Sequence, residues 1–288
     1  MHPFYNHNED NSLKNELQSN THTSKWKYAY ASVIGTSHIN SNTTKQDFCK
    51  VEEYLVNDVM YLLVAVADGA GSAKYSDASS KYICKLFTRK AKSWLDKNKI
   101  TELTRDTVLS WFLLFQKVIA RAVRLYHLES PRDFATTLLF TILSVKGNIF
   151  IQIGDGVIAQ GNSFDINCVF LPQNGEYLNT TYFASDKNIA EHFMFTHNTD
   201  NIERLVMHTD GIELISFDFT RMKPHVRFFN PLFDQLESSD GFGIDKETSE
   251  FIAGFLNCER VNQKTDDDKT LVIISQIKEI NEKSQEVQ

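Results

Sequence analysis

The sequence predicts an α+β fold in which two packed antiparallel β-sheets are flanked by α-helices, a layered α-β-β-α sandwich. Three observations predict it. Short apolar strands are joined by tight turns, which favours antiparallel pairing over the long crossovers that parallel strands need. Two long amphipathic stretches follow the first hairpin and a shorter one arrives late. Each amphipathic stretch is apolar on one face only, so it buries that face by lying on a sheet from outside.

Taken in order, Tyr28 to Ile34 reads as the first strand, ended by Gly35. Val51 to Val56 and Val59 to Ala67 flank Asn57-Asp58, a residue pair suited to a hairpin turn. Asp77 to Leu95 repeats Ile83, Leu86, Phe87, Ala91, Trp94 and Leu95 at helical spacing. Arg105 to Leu128 does the same with Val108, Trp111, Phe112, Phe115 and Ile119, and Pro131 lies just beyond its end. Strands resume with Thr136 to Val145 and Asn148 to Ile153 around Lys146-Gly147, then Val157 to Gln160 and Ile166 to Leu171 around Gly161-Asn162. Arg204 to His208 and Thr270 to Ser275 are further strands, and Lys246 to Asn257 is the late helix. Phe217 to Gly243 is rich in Phe, Pro, Asp and Ser and reads as a mobile flap beside the site, a place for substrate selection.

The 288 residues divide into a polar arm over residues 1–24, expected to be disordered, one domain over 25–276, and a flexible tail over 277–288. Hydrophobic residues make up 42%, with 21 Phe and 10 Tyr, enough for a sizeable core. A formal net charge of -7 argues against a nucleic-acid binder, although bound divalent cations would still create a site for anionic substrates. Cys49, Cys84, Cys168 and Cys258 fall in no CxxC pair and read as reduced thiols of a cytoplasmic protein. The N-terminal stretch lacks an apolar signal core, and no run has the roughly 18 apolar residues of a membrane span. Nothing suggests a self-association element, so a monomer is expected.

The chemistry-bearing pattern is a carboxylate beside glycine at the end of an apolar strand. Asp68-Gly69 follows Tyr61 to Ala67, Gly154-Asp155-Gly156 follows Asn148 to Ile153, and Asp210-Gly211 follows Leu205 to Thr209. An acidic triplet, Asp266 to Asp268, precedes the strand at Thr270, and Asp47 precedes the one near Val51. One Asp-Gly pair is ordinarily a turn; three, with an acidic triplet, suit a shared site. Hard divalent cations take several oxygen ligands, and two of them about 3.5–4 Å apart clamp a phosphoryl group. The twelve-residue spacing of an EF-hand is absent, and Gly69-Ala70-Gly71 lacks the Gly-Lys-Ser/Thr of a phosphate-cradling loop. His208 reads as a core residue facing away from the site.

Read together, Gln46-Asp47, Val66 to Ser72, Ala135 to Leu138, Ile153 to Gly156, His208 to Gly211 and Asp267 to Thr270 resemble, in order, the PPM family of type 2C protein serine/threonine phosphatases. Gly35-Thr-Ser-His38 and Asn179 to Phe183 are similar to a bacterial subgroup. The resemblance implies hydrolysis of phosphoserine and phosphothreonine in proteins by a metal-bridging water, with two or three Mg²⁺ or Mn²⁺ ions and a Ser/Thr kinase as counterpart. It implies that Asp47, Asp68, Asp210, Asp267 and the Gly69 carbonyl hold the binuclear centre, and that Asp155 with Asp210 holds a third ion. The sequence departs from the family in having neutral Gln46 where many members have glutamate, and no arginine between Asn40 and Lys45. His38 and Lys45 are the candidates to contact phosphate in its place, His38 also as general acid, and Gln46 to hydrogen-bond substrate. Asp268 stands where asparagine is frequent, and Asp267 is the favoured ligand of the two. A phosphoprotein-binding module without catalysis and a small-phosphoester hydrolase are the competing readings.

Overall fold

The computed structural model describes residues 26–173 and 181–277. The expected N-terminal arm, the tail after residue 277 and the Asn179-Thr180 part of the bacterial-subgroup motif lie outside them.

The elements run β1 (Trp26–Val33), α1 (Thr36–Ser41), β2 (Phe48–Val56), β3 (Val59–Ala67), α2 (Ser76–Leu95) and α3 (Arg105–Leu125). Then come β4 (Leu138–Leu143), β5 (Asn148–Ile153), β6 (Val157–Gly161), β7 (Ile166–Cys168), α4 (Ile189–His192), β8 (Met194–Asn198) and β9 (Arg204–His208). The last part holds α5 (Glu213–Ser216), β10 (Phe217–Asp218), β11 (Lys223–Pro224), α6 (Val226–Ser238), β12 (Gly243–Ile244), α7 (Lys246–Leu256), α8 (Glu259–Asn262) and β13 (Lys269–Gln276).

One sheet has the order β12-β1-β13-β9-β6-β7 and the other β2-β3-β4-β5-β8, with β10-β11 a small separate hairpin. Pairing is antiparallel throughout except for the two-residue β12 against β1. The β2–β3 hairpin turns at Asn57 and Asp58, both at positive φ (50° and 59°), as a tight two-residue turn requires.

Strand periodicity explains the layers. On β3, Tyr61, Leu63, Ala65 and Ala67 face α2 and α3, while Leu62, Val64 and Val66 face the other sheet. On β13, Leu271 and Ile273 face α6 and α7, while Val272 and Ile274 meet the β3 side chains between the sheets. Three apolar layers result, helix on sheet, sheet on sheet, sheet on helix. This is the expected sandwich.

Residues 217–243 are not the expected flap. Val226–Ser238 is a helix that buries Phe229, Leu232, Phe233 and Leu236 against β1 and β13. These four residues are spaced as one helical face, and Pro231 within the helix together with the Phe/Asp/Ser composition masked the period. β8 was also unexpected; its Met-Phe-Thr-His-Asn sequence lacks a clear alternation.

Candidate metal centre

The chain changes sheets at one end of the sandwich. β1 of the first sheet leads through α1 to β2 of the second, and β5 of the second leads through Gly154-Asp155-Gly156 to β6 of the first. β3 and β9 end there and β13 begins there, which brings the sequence-distant aspartates together.

Asp68 is fixed through its backbone. Its carbonyl accepts from Thr136 Oγ1 at 2.8 Å and Thr137 N at 2.8 Å, and its N–H donates to Thr137 Oγ1 at 2.9 Å. Gly69, next in sequence, bridges to Thr136. The carboxylate is thereby left to face the site, where Asp68, Asp155 and Asp210 each offer an oxygen within 4.8 Å of the others. Thr181 Oγ1 donates to Asp155 Oδ2.

Asp47 is buried. Its Oδ2 accepts from Thr209 Oγ1 at 2.8 Å and Thr270 Oγ1 at 2.7 Å, whereas its Oδ1 has no hydrogen-bond partner. A buried carboxylate oxygen without a partner is costly unless something else satisfies it.

The adjacent pair Asp267 and Asp268 divide their roles. Asp268 is buried, and its Oδ1 accepts from Gly35 N at 2.7 Å and from His38 Nδ1 at 2.8 Å. Its Oδ2 accepts from the N–H groups of Gln46 at 2.5 Å and Asp47 at 3.2 Å. Asp268 therefore ties the β1–β2 crossing to the start of β13. Asp267 is left half-buried, within the field of the other aspartates. Two glycines allow this approach: a Cβ on Gly35 would stand 2.3 Å from the Asp267 carbonyl carbon, and one on Gly211 would stand 1.8 Å from the Asp268 carbonyl oxygen.

The remaining sequence candidates have defined places. His38, on α1, points Nδ1 at Asp268; a carboxylate only accepts, so this nitrogen carries the proton. Lys45 Nζ donates to the Ser32 carbonyl at 2.9 Å and to Ser32 Oγ at 2.6 Å, bracing the chain crossing against β1. Gln46 Oε1 is buried without a partner. His208 lies in the core as expected: Nδ1 donates to the Thr209 carbonyl, Nε2 accepts from Ser216 Oγ, and burial pushes its pKa down to about 4.

The electrostatics are those of negative charge without a counter-charge. Burial first, and the neighbouring carboxylates second, hold Asp68 and Asp210 well above the usual range. Burial raises Asp155 and Asp267, and it pushes Asp47 up to about 6. Glu213, absent from the sequence candidates, is raised to about 7 by burial and by Asp155. Its position three residues after Asp210, one helical turn on, is the signal that could have found it. Thr181, Thr209 and Thr270 carry no comparable signal, since only the fold brings their hydroxyls to Asp155 and Asp47.

Among the described residues, no lysine or arginine forms an ion pair with Asp47, Asp68, Asp155, Asp210 or Asp267. All-oxygen donors, an unpartnered buried Asp47 Oδ1 and uncompensated negative charge fit hard divalent cations.

Comparison with known proteins gives the family and the fold. The family model described as protein phosphatase 2C matches residues 34–256. The chain is 33% identical over 253 residues to serine/threonine-protein phosphatase 3 of Escherichia coli (strain K12), covering 86% of this chain and 97% of that protein. A bacterial serine phosphatase crystal structure superposes with a TM-score of 0.61 at 12% identity, covering 87% of this chain and 97% of the other. The serine/threonine phosphatase Stp1 from Staphylococcus aureus does so with a TM-score of 0.55 at 14% identity, covering 89% and 96%.

Proposed function

The chain belongs to the protein phosphatase 2C family, the serine/threonine-protein phosphatases, and from that premise we propose that it hydrolyses phosphoserine and phosphothreonine in proteins with Mg²⁺ or Mn²⁺. The observation that carries the metal dependence is the half-buried triad Asp68, Asp155 and Asp210, whose oxygens lie within 4.8 Å of one another. Asp47, Asp68, Asp210, Asp267 and the Gly69 carbonyl would hold two ions, and Asp155 with Asp210 a third. When bound, the cations supply Lewis-acid activation of water and neutralise phosphoryl charge.

The chain's own residues do the rest. Asp268 orients His38 through Nδ1–H, so that when the ring also carries a proton on Nε2, that nitrogen would donate to phosphate or to the departing serine or threonine oxygen. Gln46 Oε1, unpartnered at the edge of the site, is suited to accept a hydrogen bond from substrate. We assign Lys45 to bracing, because its ammonium is committed to Ser32. A Ser/Thr kinase that installs the phosphate is the implied counterpart, and the chain acts as a monomer. The four free cysteines support a reducing, cytoplasmic setting. Among the described residues, no helix is long and apolar enough to cross a membrane.

The test is hydrolysis of a phosphothreonine peptide with Mn²⁺, with Mn²⁺ plus excess EDTA, and by Asp68→Asn. Turnover that requires free metal and disappears in the variant is expected. An inactive wild type with metal bound would overturn the proposal in favour of a phosphoprotein-binding module.

A further inference from the structure

A cleft of about 460 Å³ opens between α6, α7 and α8, outside the metal centre. Its floor is apolar: Phe228, Pro231, Phe251 and Phe255 line it, and Phe251 is 51% exposed. Ile215, Leu232 and Val261 continue this lining, so the exposed ring belongs to a contiguous apolar surface rather than standing alone. Its rim carries Arg227, Arg260 and Lys264, and no acidic residue lines it, although the whole chain has a net charge of -7. Among the described residues, none of these three cations forms an ion pair. By contrast, Arg221 and Lys223, which border the adjoining cleft, are paired with Asp218 and Asp165.

Both walls of the cleft run into the metal centre. Ile215 stands five residues after Asp210, and Lys264 three residues before Asp267. At no more than about 3.6 Å per residue, these walls lie within roughly 18 Å and 11 Å of the two aspartates. A peptide held at the phosphate could therefore reach the cleft with a handful of further residues.

We propose that this cleft docks an acidic, apolar-containing segment of the phosphoprotein substrate, a few residues away from the phosphorylated side chain. The assignment rests on the phosphatase reading and adds the class of substrate sequence. Charge complementarity selects the occupant: Arg227, Arg260 and Lys264 receive the carboxylates, and the Phe251–Phe255 floor receives apolar side chains.

The experiment has a binding arm and a kinetic arm. In the first, a fluorescein-labelled peptide of alternating Glu with Leu and Phe is titrated against the full chain, followed by anisotropy, beside a peptide with Lys replacing Glu. The acidic peptide is expected to bind at least tenfold more tightly, and Arg227→Glu with Arg260→Glu to remove that preference. Phe251→Ser, at an exposed position, is expected to weaken binding without changing the peptide's charge preference. In the second arm, a phosphothreonine peptide extended by the acidic segment should show a KM about tenfold higher in the double variant with unchanged kcat. Hydrolysis of p-nitrophenyl phosphate should be the same in both proteins. Equal binding of the two peptides, a KM insensitive to charge reversal, or a wild-type dimer that the double variant dissociates would each overturn the proposal. If neither phosphoester is hydrolysed with Mn²⁺, the phosphatase reading fails, and the binding arm still decides the groove.

Discussion

The two ends of β9 carry opposite solutions to burying charge. At its start, Arg204 is nearly enclosed, with Nε and Nη2 on the two oxygens of Glu237 at 2.8 and 2.6 Å and Nη1 on Asn230 Oδ1 at 2.9 Å. Its guanidinium lies 4.7 Å from the Phe233 ring. Just past its other end, Asp210 faces Asp68 and Asp155 with no cationic side chain among the described residues in reply. A buried charge supplied with partners by its own chain is architecture. A half-buried charge cluster lacking them is suited to something the chain does not encode, and the difference separates folding from function within a few residues of one strand.

The widest gap between the two ends should appear in activity. Asp210→Asn is expected to lower phosphopeptide turnover by about 10²- to 10³-fold, since it removes a site group while leaving the fold. The metal-free variant should melt at or above the wild-type temperature, because one repelling charge is gone; a lower melting temperature would show that the aspartate is structural. Arg204→Met should do the reverse, costing about 1–2 kcal/mol in denaturant unfolding by removing the hydrogen bonds to Glu237 and Asn230, with kcat/KM of the folded fraction unchanged.

Acidity gives the next contrast. For Asp47, folding raises the pKa from 3.8 to about 6, so its contribution to stability is present below pH 4 and lost as pH rises through 6. Asp68, Asp210 and Glu213 are raised as well. His208 is lowered from 6.5 to about 4, so its contribution is present above pH 6.5 and lost as pH falls towards 4. Asp47 and His208 are each worth on the order of 3 kcal/mol, and the additional carboxylates decide the sign near neutrality. The melting temperature of EDTA-treated protein should rise between pH 8 and 6, then level as His208 opposes it. Saturating Mn²⁺ should raise it at pH 7.5 and flatten the rise. A metal-free profile that falls from pH 8 to 6 would contradict the carboxylate account.

The smallest effect is expected at Lys45. Lys45→Met should cost about 1 kcal/mol of stability, the scale of one hydrogen-bonded contact, and change KM less than twofold. A tenfold rise in KM would return Lys45 to the role of phosphate ligand.

What could be read in advance follows the range of the interactions. β3 carries an unbroken apolar run, β5 and β9 shorter ones at Ile149 to Ile151 and Leu205 to Met207, and α2 and α3 a clean helical period, so each declares itself within its own length. The Asp-Gly pairs after those strands are just as local, and they put Asp68, Asp155 and Asp210 on view. The α6 period was present at Phe229, Leu232, Phe233 and Leu236 but obscured by Pro231, whose missing N–H ordinarily ends a helix. The division between Asp267 and Asp268 could not be read locally. It is set by the Gly35, His38, Gln46 and Asp47 donors, more than 200 residues away in the chain.

That separation has a consequence for how the protein is made. β1 pairs with β13 from Trp26–Gln276 to Val33–Lys269, and its other neighbour is β12. At a synthesis rate of 5–20 residues per second, β1 waits on the order of ten seconds for either partner. Throughout that interval an apolar strand emerges with both edges open, the condition in which chains aggregate or recruit chaperones. The same ordering governs the chain crossing: Asp268, which gathers Gly35, His38, Gln46 and Asp47, is translated more than 200 residues after them, so the β1–β2 crossing stays unlocked until β13 emerges.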